Sequence, residues 1–304
     1  MQIVNELKCK NEDDFESYFQ IDGTYTLKDN IYYVEGNVFL IRNTESLPFK
    51  FGTVTGSFDC SKNKLTSLKN TPTKIGENFD CRDNELTSLK DAPVKVGGSF
   101  YCNSNNELTS LKGAPVKVGG DFWCSNNKLV SLKDAPKEIV GGFWCSYNKL
   151  TSLKGSPIKV GGDFWCSSNE LCSLEGAPKE VGGNFWCSYN DLTSLEGAPV
   201  KVGGNFECNG NKLHSIEGAP KEIGGDFWCS SNELYSLEGA PKEVGESFWC
   251  RFDNLHFIKG TLTKVAGSFW CKYNKLTSLK DTPIKVKRDT EIAKDTLEKE
   301  KNKS

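Results

Sequence analysis

Residues 161–181 read Gly161-Gly-Asp-Phe-Trp-Cys-Ser-Ser-Asn-Glu-Leu-Cys-Ser-Leu-Glu-Gly-Ala-Pro-Lys-Glu-Val181, and residues 182–202 read Gly182-Gly-Asn-Phe-Trp-Cys-Ser-Tyr-Asn-Asp-Leu-Thr-Ser-Leu-Glu-Gly-Ala-Pro-Val-Lys-Val202. Aligned on Phe-x-Cys, the same pattern starts at Phe58, Phe79, Phe100, Phe122, Phe143, Phe164, Phe185, Phe206, Phe227, Phe248 and Phe269, a period of 21 that is once 22. The extra residue falls in the third unit, within Asn103-Ser104-Asn105-Asn106, where a loop is expected. Self-similarity at a fixed period of this size signals stacked supersecondary units, none able to bury its apolar face alone.

Phe and Cys, two apart, lie on one face of a strand and the residue between them on the other. Phe and Cys recur in all eleven units, whereas the middle residue is Asp59, Asp80, Tyr101, Trp in seven units, and Glu207. The constant apolar pair therefore points inward and the middle residue outward. Leu65 and Leu68, with their equivalents to Leu276 and Leu279, complete the inward set, and Ile75, Val96 and Val118 close the coil. An Asn before the first Leu recurs as Asn63, Asn84, Asn106, Asn127, Asn148, Asn169, Asn190, Asn211, Asn232 and Asn274, with Asp253 once. A short polar side chain at a strand end satisfies backbone groups at a bend. Gly-Gly before the strand and Gly-Ala-Pro after the second Leu supply further bends and leave no room for a useful helix. The fold expected is mainly β: a leucine-rich-repeat-like solenoid with a parallel sheet of about eleven short strands and an extended, polyproline-like convex side.

Leu-x-x-Leu…Pro…Val…Phe-x-Cys-x-x-Asn-x-Leu resembles the leucine-rich repeat, with Phe and Cys standing in for leucines. It is most like the short helix-free class of bacterial effectors of the invasion-plasmid-antigen type and related bacterial and phage arrays, over roughly residues 58 to 286. The resemblance implies a binding scaffold. Units of that class usually run one residue shorter, so curvature is expected to differ. The ligase domain of those effectors has no counterpart in the residues after the array, and Cys81-Arg-Asp83 imitates a catalytic Cys-x-Asp only because Cys81 is a rung of the core ladder.

Residues 1–57 are expected to cap the array, with a short helix from Asn11 to Gln20 and a hairpin or degenerate coil from Gly23 to Arg42; residues 58–286 are the solenoid. Residues 287–304 are a charged tail, frayed helix or disordered. The start Met1-Gln-Ile-Val lacks a secretory pattern, and the longest apolar run, near Val38 to Ile41, is too short to span a membrane. A net charge of -2 offers no global field for a polyanion. Eleven of the thirteen cysteines keep the repeat's register, so they read as reduced core thiols in a reducing, cytoplasmic compartment, with host cytosol the alternative if the chain is delivered without a signal; Cys9 and Cys172 are off the ladder.

Trp123, Trp144, Trp165, Trp186, Trp228, Trp249 and Trp270 share one outward position and, with Tyr101, form an aromatic stripe interrupted by Glu207. Such a contiguous apolar patch marks a binding face, and the alternative is a ladder of mutually stabilising indoles. Asp121, Asp163 and Asn184 flank it before Phe; Tyr147 and Tyr189, with Tyr273, widen it at the strand ends. After the second Leu stand Lys69, Lys90, Lys112, Lys133 and Lys154, then Glu175, Glu196, Glu217 and Glu238, read as a solvated charge band. His214 and His256 sit two coils apart, too far for one metal ion, and no nucleophile–base set or phosphate loop is present. These readings predict a non-enzymatic protein-binding scaffold without cofactor or metal. Glycan or small-ligand stacking and self-assembly into a homo-oligomer are the alternatives; nucleic acid and membrane are disfavoured.

Overall fold

The computed structural model describes residues 12–258 and 264–276, with the backbone of two further strands at 285–286 and 290–291. The sequence expectations for Leu279, for Cys9 and for most of the tail lie outside these residues. A short helix, α1 (Glu12–Tyr18), leads into an antiparallel hairpin of β1 (Phe19–Lys28) and β2 (Ile31–Leu40), followed by β3 (Lys50–Val54). From Phe58 each unit contributes two short strands, one starting at the repeat's Phe (Phe58–Asp59 to Phe269–Trp270) and one at its Val or Ile (Lys74–Ile75 to Lys264–Val265). The strands pair in parallel, in register, with the same strand of the next coil, Phe122 with Phe143 and Ile139 with Val160, save for one break in the Val ladder between Ile223 and Val244. The array is a mainly β, parallel-sheet solenoid of about eleven turns, leucine-rich-repeat-like, with no helix among the described residues of its coils.

Strand β2 lays the first course. Its early residues pair with β3, and Val38 and Phe39 pair with Phe58 and Asp59, so one continuous strand templates both rows. On the outer side, Phe15 stacks on Tyr32 at 3.9 Å and packs with Phe19, Phe49 and Phe51, plugging the end of the core.

The core is a set of single-residue ladders. The eleven phenylalanines from Phe58 to Phe269 are buried and stack ring on ring at 5.0–5.9 Å between centroids. Burying one such side chain contributes about 1.5–3 kcal/mol, and nearly all of that area is covered by neighbouring coils. The ladder cysteines, Cys60 to Cys271, are buried thiols outside any disulfide, and burial pushes them well above the ordinary range, Cys271 to about 12. The thiol of Cys81 donates to the Tyr101 carbonyl and that of Cys187 to the Glu207 carbonyl, each at 3.3 Å, so a small side chain also caps a strand of the next coil.

The asparagine ladder joins three segments at every step. Asn148 Nδ2 donates to the carbonyls of Cys145 in its own coil and Cys124 in the preceding one, both at 3.0 Å, while its Oδ1 accepts the Leu129 N–H at 3.0 Å. In the third unit the structure corrects the sequence alignment. Asn105 is fully buried and holds the bridges to Cys81, Cys102 and Leu86, whereas Asn106 is exposed. The extra residue thus follows the rung. The bridge is measured from Cys, three residues upstream, and the slack is taken up before Leu108, whose N–H donates to the Asn105 carbonyl.

The glycine pair bends the chain, as expected, and its first member also lies close to the preceding coil: a Cβ on Gly97 would come 2.0 Å from the Gly76 carbonyl oxygen. Left-handed turns occur in addition after the second Leu, where Gly176 has φ +89°, and one residue before each asparagine rung.

Asp253 is the one acidic rung. Its Oδ1 accepts the Asn232 N–H at 2.8 Å, but its buried Oδ2 has no partner and stands where other coils present an amide NH2 to two carbonyls. Burial raises its pKa from 3.8 to about 7, against the backbone N–H groups of Asn232 and Leu234 that lower it. A group held protonated by the fold stabilises fully below its unfolded pKa and loses that contribution as pH rises through the folded value, here between about pH 4 and 7. Asp80, raised to about 6 chiefly by burial, acts in the same direction. Asp253→Asn is expected to raise stability by roughly 2–4 kcal/mol at pH 8 and by much less near pH 4. Denaturant titrations at the two pH values measure this, and equal gains at both would exclude the titration. Thiol labelling of the native chain should modify the exposed Cys172 and leave the eleven ladder cysteines untouched until denaturant is added, as peptide mass mapping would show.

Candidate functional site

The outward face of the Phe strands is built by the same register that builds the core. Pairing of Phe122 with Phe143 and of Phe143 with Phe164 places Trp123, Trp144 and Trp165 side by side. All seven tryptophans and Tyr101 are half-buried. Tyr101 meets Trp123 at 6.1 Å, Trp123 stacks on Trp144 at 4.3 Å and 9°, and Trp228, Trp249 and Trp270 stack at 4.6 and 4.8 Å. The file is broken at Trp165. Its ring is tilted 55° and 44° to its neighbours, and Trp144 and Trp186 close to 6.3 Å across it. Glu207 separates the two groups; its Oε1 accepts from Ser188 Oγ at 2.8 Å and Asn209 Nδ2 at 3.2 Å.

The polar flanks are tied into the backbone. Asp121 Oδ1 accepts the Gly142 N–H, Asp163 Oδ1 the Asn184 N–H, and Asn184 Oδ1 the Asn205 N–H, each at 2.7 Å. Residues 121, 163 and 184 thus form a second, outer ladder along one margin of the band, with one oxygen of each committed to the next coil.

On the other margin lies a feature that sequence reading only partly found. The fourth residue after each repeat Phe has a left-handed backbone, φ +55° at Tyr147, +56° at Tyr189, +59° at Phe252 and +63° at Tyr273. Gly210 and Asn126 occupy the same position, as such a conformation favours. The four aromatics there are 53–67% exposed, and Phe252 stacks on Tyr273 at 4.6 Å beside the Arg251 guanidinium. Phe252 was not among the sequence candidates. The signal was an aromatic ring in a column otherwise filled by Gly, Asn, Asp, Ser and, once, Lys.

Two magnitudes bear on why the rings are there. Stacking contributes about 0.5–1.5 kcal/mol per pair. Yet the indole N–H groups of Trp123, Trp144, Trp249 and Trp270 are buried without a hydrogen-bond partner, which costs about 1–3 kcal/mol each. A bulky residue at a left-handed position costs about 1–2 kcal/mol more than glycine would. Stability alone does not favour Trp over Phe in the band, or Tyr over Asn at its margin.

Among the described residues no cluster of three or more His, Cys, Asp or Glu side chains could hold a metal ion, and no helix is long and apolar enough to cross a membrane. His214 stacks on Tyr235 at 6.0 Å, and His256 Nδ1 lies 3.1 Å from its neighbouring Asn254 carbonyl oxygen. The two histidines do not meet.

No protein-family profile matches this chain, and no curated protein matches it. Among solved structures it is similar to YopM from Yersinia enterocolitica WA-314, at 21% identity and a TM-score of 0.46, over 85% of this chain. The chain spans 65% of that protein's length. A likeness at this level adds nothing to what the coils themselves establish about the fold.

Trp144→Phe keeps a stacked ring and removes an unpartnered donor; Tyr147→Asn relieves a left-handed backbone. Each is expected to leave stability within about 1 kcal/mol of the parent or above it. A loss of more than about 2 kcal/mol at either position in denaturant unfolding would make the rings structural.

Proposed function

We propose that the chain is a non-enzymatic scaffold that binds a protein partner through the outward aromatic band running from Tyr101 to Trp186 and from Trp228 to Trp270. The observation that carries this is energetic. Half-buried tryptophans, four of them with buried, unmet N–H groups, and exposed aromatics on left-handed backbone are poor choices for a free coil and good ones for a desolvated contact. The band supplies an apolar centre, and the margin of Tyr147 and Tyr189 with the serines and acidic flanks supplies a polar rim. Tilted Trp165 breaks the flatness of the stack and gives a partner side chain relief to engage.

Tightly stacked rings leave no slot for a sugar or planar ligand between them, which ranks glycan and small-ligand binding lower. Cysteines that are thiols throughout the described residues fit a reducing compartment. The resemblance of the repeat to effector and phage arrays suggests a host-interaction or counter-defence setting.

Capture from host-cell lysate with the parent and with Trp144→Ser/Trp165→Ser/Trp186→Ser, matched for thermal stability, is the direct test. We expect at least one protein to be retained by the parent and lost by the variant, and its purified form to bind in calorimetry with at least a tenfold weaker Kd for the variant, about 1.4 kcal/mol. Identical captures from both forms would remove the band from function.

A further inference from the structure

We infer that the chain pairs with a second copy of itself, antiparallel, through the charge-banded arm of its coils, away from the tryptophans. Two rows of exposed charge run along the solenoid. In the row on the Val strands the signs alternate from Lys117 to Glu222, after three lysines side by side at Lys74, Lys95 and Lys117, and neighbours pair within the chain: Lys117 with Glu138 at 3.3 Å, Lys159 with Glu180 at 2.9 Å, Lys201 with Glu222 at 3.0 Å, Glu243 with Lys264 at 2.7 Å. The row after the second Leu is instead divided into blocks. Lys69, Lys90, Lys112, Lys133 and Lys154 are followed by Glu175, Glu196, Glu217 and Glu238, all exposed. Among the described residues the only ion pair in this row joins the blocks at their boundary, Lys154 to Glu175 at 3.0 Å.

Equivalent residues of adjacent coils lie about 4.8 Å apart, so a block places like charges side by side, which is unfavourable in an isolated chain. The order of the blocks is self-complementary over the eight coils from Lys90 to Glu238. A two-fold axis crossing the solenoid between the coils of Lys154 and Glu175, and lying in the contact plane, brings Lys154 opposite Glu175 of the second copy. It likewise sets Lys133 against Glu196, Lys112 against Glu217 and Lys90 against Glu238. Each contact occurs twice, as an isologous interface requires. The same axis returns the Val-strand row onto itself with opposite signs facing, Lys159 to Glu180, Glu138 to Lys201, Lys117 to Glu222 and Lys95 to Glu243. Exposed Val116 and Ile158, 67% and 68% accessible, lie between the rows and give the strip an apolar component. Eight coils span about 38 Å, long enough for a standard interface.

The tryptophan band lies on the other arm of the coil and stays open in such a pair, so binding through the band and pairing through the charges fail or succeed separately. Sedimentation velocity of the full chain should give a dimer at about 0.05 M salt that dissociates at about 0.5 M, where charge interactions are screened within a few ångströms. Lys112→Glu/Lys133→Glu should be monomeric, because glutamates then face Glu217 and Glu196, and Glu196→Lys/Glu217→Lys should be monomeric for the mirror reason. Mixing the two monomeric variants restores opposite charges at all four contacts and should recover the dimer, at least tenfold tighter than either variant alone. All four substituted side chains are exposed, and unchanged circular dichroism confirms folding. A wild-type chain that stays monomeric at low salt, a dimer that survives both charge reversals, or a mixture that fails to associate would each overturn the proposal.

Discussion

A coil of 21 residues with strands two residues long cannot satisfy its own backbone. Most of its buried N–H and C=O groups find partners in the coil before or after it, and the asparagine rung is a principal place where that requirement is met. One amide ties the carbonyls of two successive cysteines and the N–H of a leucine, and it does so coil after coil. The phenylalanine stack, the thiol ladder and the close passage at the glycines presuppose the spacing that this amide fixes. Where a carboxylate replaces it at Asp253, the same geometry becomes a titrating weakness.

The parts legible in the sequence were those fixed by identity and alternation. Constant Phe and Cys two residues apart pointed inward, and the variable residue between them pointed outward, because a strand has only two faces. The parts that were not legible depend on which backbone group a polar atom reaches. Asn105 and Asn106 are chemically the same, and counting from Leu selects the wrong one, since the bridge is set by distance from Cys102. Asp121, Asp163 and Asn184 look like free flanks on an exposed margin, yet each turns along the array to an N–H of the next coil. The glycine pair reads as a bend and is one, but its close approach to the coil before, as at Gly97 and Gly182, is not written in the sequence. The left-handed column could be inferred only from its tolerance of Gly210 and Asn126, and the aromatics within it hide that tolerance.

The solenoid thus separates its tasks by position within the unit. Inward positions are nearly invariant and carry stability. The middle strand position and the left-handed position carry aromatics whose energetic cost is borne by the rest of the coil, and the two charged rows differ, one alternating between Lys117 and Glu222 and one divided into blocks. Because each column repeats at coil spacing, a single substitution changes a surface by one rung without disturbing the rungs on either side.

Strand β2 anchors both rows at one end, and every later coil is held chiefly by the coil before it and the one after. Contacts therefore join residues about one repeat apart, whatever the array's length, so the chain can zip up from the hairpin without first closing a long loop. Pulled from its far end, such a chain resists as a row of similar clasps. It should pay out coil by coil, each release freeing about 70 Å of extended polypeptide, while the hairpin end remains as the seed from which the spool rewinds.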